Sequence, residues 1–498
     1  MTISDKREWR PNSIDDGLPK YKAIAAAIAD DIAQGRLKAG DRMPTHRDLA
    51  WDLGVTVGTV SRAYAQAEQR GLIGGEVGRG TYVNATHGSM AEPPHAASSP
   101  EMGWHGPVVE FNSLHDDVDA ISQHPNRKVE TGAIRLNHDF PPPGLETIEV
   151  GKIMQKIAIS PVLADCLSYQ PHAGMEHHRQ AIAGWLGRRG LNASAEKIVL
   201  TSGAHNGVLA TLSALTRPGD KIATEEVCYP GIKAIAQMLG LELVPLPLDE
   251  EGIVPDACRD ICKRMTIKAL YCVPTFQNPT TIVMSETRRR EIASIADEFD
   301  VAIVEDDVFG LLLDDGPPAL ASYSDENGYY VSSISKAIAP GLRIGFVHTP
   351  IGKSLRVAAA IRSSSWMASP LCAEITYELI TSGAAKRVME SHRREALKRF
   401  EIFGDVFRDY EYKSHPLSLR AWLTVPEPWH VDEFVREAEQ RGVTLPPTRA
   451  FTIGRARTPQ AVRVSLGPPR SPQRLVQGLE ILRDILEGSI PELALDVM

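Results

Sequence analysis

The sequence predicts an α/β protein in two unlike parts. A small helical unit with a two-stranded wing comes first. A large layered domain follows, with a mixed, mostly parallel sheet and a smaller α+β subdomain. Three observations predict this. Residues 20–83 hold three short helical patterns, each closed by a glycine, and then two strand-like runs. Residues 84–107 are rich in Ala, Pro, Ser, His and Gly, the composition of a flexible linker. From Ile134 onward, short apolar runs alternate with helical patterns, as parallel strands joined by crossover helices do. The expected boundaries are 18–86 for the first unit, 87–133 for the linker and 134–488 for the large domain.

In the first unit, Tyr21, Ile24, Ala27, Ile28 and Ile32 recur at helical spacing, and Gly35 ends that helix. Gly40-Asp41-Arg42-Met43-Pro44 is a turn. A second helix starts near Thr45, buries Leu49, Ala50 and Leu53, and stops at Gly54. A third runs from about Val57 to Arg70 and buries Val60, Tyr64 and Ala67. Leu72-Ile73 and Thr81-Tyr82-Val83, about a Gly78-Arg79-Gly80 tip, read as the wing. In the large domain, strands are expected at 198–200, 221–223, 269–273 and 301–304. Further strands near 419–424 and 462–466 belong to a subdomain spanning about 390–488. Residues 108–133 are polar and irregular and carry no assignment.

Composition narrows the class. The chain has 498 residues, 43% hydrophobic and 23% charged, enough for a large core in two or three domains. Its net charge of −9 excludes a polycation. The six cysteines are scattered, and Cys258 and Cys262 lack a second Cys or His pair that would complete a zinc site. No metal is expected, and reduced thiols in a cytoplasmic protein are. The charged N-terminus is no signal peptide, and no apolar run reaches membrane-spanning length.

The run Ser333-Ile334-Ser335-Lys336-Ala337-Ile338-Ala339-Pro340-Gly341-Leu342-Arg343 puts two hydroxyls, a lysine and an arginine on one short segment. That set suits an aldehyde cofactor carrying a phosphate. Lys336 would form a Schiff base with pyridoxal 5′-phosphate (PLP), and Ser333 and Arg343 would grip the phosphate. Three other strand ends point to the same place, because ligands of such sheets bind beyond the carboxyl ends of strands. Thr201-Ser202-Gly203-Ala204-His205 opens a helix whose backbone N–H groups would cradle a phosphate. Asn278 offers an amide to the ring oxygen. Glu305-Asp306-Asp307 offers a carboxylate to keep the pyridine nitrogen protonated.

Taken together, these segments resemble the fold-type I PLP-dependent aminotransferases, over residues 135–488. The resemblance implies Lys336 as the Schiff-base lysine, Asn278 as the ring-oxygen ligand, and Ser333, Arg343, Ala204 and His205 at the phosphate. Asp306 is the better match for the pyridine-nitrogen partner, with Asp307 the other option. Tyr229 resembles the aromatic residue stacked on the ring, and Tyr169 the tyrosine that reaches a partner subunit's phosphate. Arg463 resembles the arginine that takes a substrate carboxylate bidentately. The sequence departs from the family in three places. Phe309 stands where a tyrosine usually meets the ring oxygen. Thr281 stands where glycine usually follows Asn-Pro-Thr. His205-Asn206 replaces a frequent Gln-Gln.

Residues 18–85 resemble the winged helix-turn-helix of GntR-type transcription regulators. The matching text is Gly40-Asp41-Arg42-Met43-Pro44-Thr45-His46-Arg47-Asp48-Leu49-Ala50, Leu53-Gly54-Val55-Thr56-Val57-Gly58-Thr59-Val60 and Gly78-Arg79-Gly80-Thr81. That resemblance places the helix from about Val57 in the major groove by its N-terminal end. Thr56, Gly58 and Thr59 would allow close backbone approach, Arg47 and Arg62 would reach phosphates or base edges, and Arg79 the minor groove. Counting residues 1–85 gives 12 Lys/Arg against 11 Asp/Glu, so a basic footprint is local at most.

A GntR-like reader joined to an aminotransferase-like domain is the layout of the MocR subfamily. It implies a homodimer that binds paired DNA half-sites. It also implies an effector, a small amine or amino acid, sensed by external aldimine formation at Lys336. Two rivals stand beside this reading: a working PLP-dependent aminotransferase with an accessory DNA-binding domain, and an adaptor that uses PLP only structurally.

Overall fold

The computed structural model of the chain describes residues 9–11, 20–69, 72–76, 80–84 and 133–488. Arg79 of the expected wing tip lies outside these residues, as does all but the last residue of the expected linker. The chain divides into two units, residues 1–107 and 108–498.

In the first unit, helices α1 (Lys20–Ala33) and α2 (His46–Asp52) pack on α3 (Val57–Gln69). Their core is Ile24, Ile28, Leu49, Val60, Tyr64 and Ala67, joined by Ile73 and Val83 from the antiparallel strands β1 (Ile73–Glu76) and β2 (Gly80–Val83). Helix starts follow from side-chain chemistry. Thr45 Oγ1 accepts the Asp48 N–H at 3.3 Å, and Thr56 Oγ1 accepts the Thr59 N–H at 3.3 Å, so each threonine satisfies a donor that its helix leaves without a partner. The Tyr64 hydroxyl donates to the Pro44 carbonyl at 2.9 Å, and the His46 ring meets the Tyr64 ring edge-on, which ties α2 to α3. Tyr21, Ala27 and Ile32, expected in the apolar stripe of α1, are only half-buried, while Ala23 and Ala25 are buried. The buried face is therefore rotated toward the alanines, whose small side chains suit close approach to α3.

The second unit is built on a seven-stranded sheet. In chain order its short pairs and main strands are β3 (Ile134–Arg135), β4 (Ile198–Thr201), β5 (Lys221–Glu225), β6 (Glu242–Leu246), β7 (Leu248–Asp249), β8 (Gly252–Ile253), β9 (Ile267–Cys272), β10 (Ala302–Asp306), β11 (Gly328–Ser333) and β12 (Gly345–His348). The large sheet runs β4-β12-β11-β10-β9-β5-β6. All neighbours are parallel except β12, which is antiparallel to both β4 and β11. Strand β6 was not anticipated, because Glu242 and Pro245 interrupt the apolar run that marks a buried strand, and the hairpin β7–β8 was not because its strands are two residues each. Ile198 and Leu200 face one helix-covered core and Val199 the other, as the two-residue period of a strand requires.

The smaller subdomain has an antiparallel sheet of β13 (Tyr412–Ser414), β14 (Arg420–Thr424) and β16 (Ala461–Ser465). Strand β15 (Val443–Thr444) pairs in parallel with β3. The subdomain therefore reaches back beyond its expected start near residue 390, because Ile134 and Leu136 are part of its core. That detour carries residues 137–140 across the mouth of the large sheet, where the functional side chains gather.

Candidate functional site

The carboxyl ends of β4, β10 and β11, together with the loop after β9, surround a cavity of about 290 Å³. Lys336, Asn278, Asp306, Ser333, Arg343, Tyr229, Ala204, His205 and Arg463 all line it. Residues from Ala204 to Arg463 are thus gathered by the order of the large sheet and by the subdomain strand β16 that faces it. Tyr169 is not among them: it is 84% exposed, its ring edge against Trp366.

One end of the cavity is shaped for an anion. Gly203 (φ +92°) turns β4 into the helix Ala204–Leu215, whose first residues, Ala204 and His205, line the cavity. Arg343 Nη2 donates to the Ser202 carbonyl at 3.4 Å. Space here is tight. A Cβ on Gly203 would sit 2.5 Å from Arg343, and one on Gly345 would sit 2.5 Å from the Gly203 backbone. Ser335, whose role was not anticipated, lines the same cavity with a buried hydroxyl that has no partner. Burial, helped by the Arg343 charge, lowers the His205 pKa and favours the neutral imidazole.

The two adjacent aspartates have different surroundings. Asp307 Oδ2 accepts from Arg189 at 2.9 Å and from the Tyr330 hydroxyl at 3.0 Å, and the residue does not line the cavity. Asp306 Oδ2 accepts from the Tyr271 hydroxyl at 2.8 Å, while its Oδ1 is buried with no partner. Burial pushes Asp306 up to about 6, against the counter-effects of Tyr271, Lys336 and Arg420. A buried, half-satisfied carboxylate is what a protonated ring nitrogen would complete.

Lys336 is half-buried in the cavity wall, and desolvation lowers its pKa, aided by the charges of Arg420, Arg463 and Arg343 and opposed by Asp139. Its Nζ donates to the Asp139 carbonyl. Asn278 Oδ1 accepts from Arg463 Nη1 at 3.1 Å, which leaves its Nδ2 to donate. Burial pushes Tyr229 up to about 12, so its phenol stays protonated. Thr281 takes the left-handed conformation (φ +65°), at a cost of about 1–2 kcal/mol for a β-branched residue. That cost explains why glycine suits this position in the aminotransferases that the sequence resembles.

Two charged residues were not anticipated. Arg420 pairs with Asp139 and stacks 4.4 Å from the Phe309 ring, and all three line the cavity. Parity could have found Arg420. In β14 and β16, Trp422 lies opposite Arg463 and Arg420 opposite Ser465, so both arginines lie on the face turned from the core formed by Ala421, Leu423, Val462 and Val464. The register that aligns the strands is tertiary information. Asp139 had no local signal at all.

On the reader side, Arg47, Thr56, Gly58 and Arg62 are exposed and Thr59 half-exposed around the start of α3. The Thr56 and Thr59 hydroxyls lie 2.9 Å apart. Among the described residues, one group of possible metal ligands occurs, His177, His178 and Glu374. It is knit by hydrogen bonds of 3.2 and 2.8 Å to Glu374 and lines no part of the cavity. No helix among the described residues is long and apolar enough to cross a membrane.

The profile of aminotransferase class I and II matches residues 150–481, and that of bacterial regulatory proteins of the gntR family matches residues 20–83. The chain belongs to the MocR-type family, a GntR helix-turn-helix joined to an aminotransferase class I and II domain. It is 29% identical to the HTH-type transcriptional regulator YdeF of Bacillus subtilis, over 96% of this chain and 97% of that one. It is 30% identical to the HTH-type transcriptional regulator YjiR of Escherichia coli, over 66% and 69%. In fold it is similar to a kynurenine aminotransferase of Pyrococcus horikoshii, with a TM-score of 0.67 and 22% identity over 72% of this chain and 91% of that one. PLP is the cofactor of the aminotransferase family, and the cavity fits it on its own geometry. The orphaned Asp306 oxygen, the cavity lysine and the tight glycine cradle beside Arg343 each match one part of that molecule.

Proposed function

We propose that this MocR-type chain is a PLP-dependent DNA-binding transcription regulator whose signal is a small amine or amino acid exchanged for Lys336. PLP supplies an aldehyde carbon for which the lysine and the incoming amine compete. The observation that carries this reading is the pairing, in one chain, of a reader unit with a cavity lined by Lys336, Asp306, Asn278 and Arg463.

The chain's own residues have distinct tasks in this reading. The lowered pKa of Lys336 keeps more of its amine neutral and able to attack. Asp306 would hold the ring nitrogen, Asn278 Nδ2 the ring oxygen, and Ser333, Arg343, Ala204 and His205 the phosphate, with Tyr229 beside the ring. Arg463 takes the effector's carboxylate. Arg47, Thr56, Gly58, Thr59 and Arg62 face DNA, with Arg79 at the wing. Exposed Tyr169 reaches the cofactor phosphate of a second copy, so a homodimer would present two readers to paired half-sites. The effector acts through its different affinity for two states of the protein.

Phe309 favours sensing over turnover. It withdraws one hydrogen bond from the ring oxygen, and its face carries the Arg420 guanidinium instead. The test is a titration of the cofactor's visible absorption with amines, in parallel with binding to the chain's own upstream DNA. An amine that shifts the band and also changes DNA affinity is expected. Rapid conversion of an amino acid with 2-oxoglutarate, without any effect on DNA binding, would replace this reading with that of a working aminotransferase.

A further inference from the structure

We infer that Asp139 is a specificity-determining residue, an internal counter-ion on Arg420 that restricts the effector to a single carboxylate and shuts out dicarboxylic amino acids. This deepens the function proposed above and rests on it for the identity of the ligand site.

The argument is one of charge and partners. Two guanidinium groups line the cavity, on neighbouring strands and on the same sheet face. Their surroundings differ. Arg463 bonds only to neutral oxygens, Asn278 Oδ1 at 3.1 Å and the Asn137 carbonyl at 2.6 Å. No carboxylate is within ion-pair distance of it among the described residues, although the charge of Asp139 reaches it, and its Nε is buried with no partner. Arg420 already holds the Asp139 carboxylate and also donates to the Phe276 carbonyl. A buried cation with no carboxylate bonded to it is costly, so the cavity asks the ligand for one anion, at Arg463. At Arg420 a ligand's second carboxylate would meet Asp139. Two carboxylates in a shielded site repel strongly, and the Asp139 side chain, paired with Arg420, is 8% exposed and largely cut off from water. Burial alone would raise the Asp139 pKa, but Arg420, Lys336 and Arg463 outweigh it and hold the residue ionised. Neutralising Asp139 would convert Arg420 into a second carboxylate receptor.

The isosteric pair glutamine and glutamate tests this on the PLP-loaded, full-length protein. Glutamine is expected to shift the cofactor band at a concentration at least tenfold below that needed for glutamate. Asp139→Asn is expected to reverse the order. The same comparison uses no amine at all when succinamate and succinate are titrated calorimetrically into PLP-free protein. Wild type should prefer the monoacid, and Asp139→Asn should bind succinate at least tenfold more tightly than wild type does. Asp139→Asn combined with Arg420→Met should lose that gain, and this second variant no longer leaves the Arg420 guanidinium buried without its carboxylate if the first folds poorly. Equal affinity of wild type for both acids, or an unchanged preference in Asp139→Asn, overturns the inference. Silence of the cofactor band toward every amine would instead sink the proposed sensing. The amine-free titration would still decide the part played by Asp139.

Discussion

The cavity and the reader unit both depend on arginines, but they hold them in opposite ways. Arg420 and Arg463 are almost fully buried, and burial lowers the pKa of both, that of Arg463 to about 10. Arg47 and Arg62 lie on the surface. A buried guanidinium is positioned by what it costs to leave it unpaired, so its partners are few and its geometry is narrow. An exposed one is free to follow a phosphate backbone, and its contribution is screened by salt. The first arrangement suits discrimination among small ligands, and the second suits a long polyanion.

The sharpest break of this contrast would come at the cavity. Lys336→Ala is expected to abolish the visible cofactor band and the pyridoxyl adduct that borohydride reduction leaves on the wild-type chain, as read by mass spectrometry. Survival of the adduct would mean that another lysine carries the cofactor. The next effect separates neighbours. Asp307→Asn leaves Arg189 buried beside a neutral group and should cost about 3–5 kcal/mol of stability in denaturant unfolding. Asp306→Asn should leave the fold standing but weaken PLP binding by about 1.5–3 kcal/mol, the worth of a hydrogen bond to a charged group. If the two outcomes were exchanged, Asp307 would be the residue at the ring nitrogen.

Smaller effects test the reader and the pH response. Arg47→Ala or Arg62→Ala should weaken DNA binding. Removing an arginine that neutralises one phosphate should also make the salt slope shallower by about 1. Unchanged slopes for both would remove these arginines from the DNA interface. The rate of PLP capture should rise with pH, because only the neutral amine attacks. Since burial lowers the Lys336 pKa, the plateau should come at lower pH than for an ordinary lysine of pKa 10.5, as followed by stopped-flow absorbance. The smallest expected change is at Thr281. Thr281→Gly relieves a left-handed threonine at some cost in unfolded-chain entropy, so the melting midpoint should hold or rise slightly, a gain in stability of no more than about 1 kcal/mol.

Much of this was legible in one dimension. Hydrophobic period marked the helices of the reader and the buried strands, since the α and β repeats of 3.6 and 2 residues leave different traces. The segments around Asn278, Asp306, Lys336 and Arg343 could be read because each brings its chemistry within a few residues of a strand end. The tertiary structure alone decided the rest. It separated Asp306 from Asp307 by giving one to Tyr271 and the other to Arg189 and Tyr330. It set Asp139 on Arg420 across 281 positions of sequence, and it put Arg420 and Arg463 on one face through a strand register. Local pattern records which way a residue faces along its own element. Which charge it meets there depends on how distant elements align, and that is fixed only when the sheet and the subdomain close on each other.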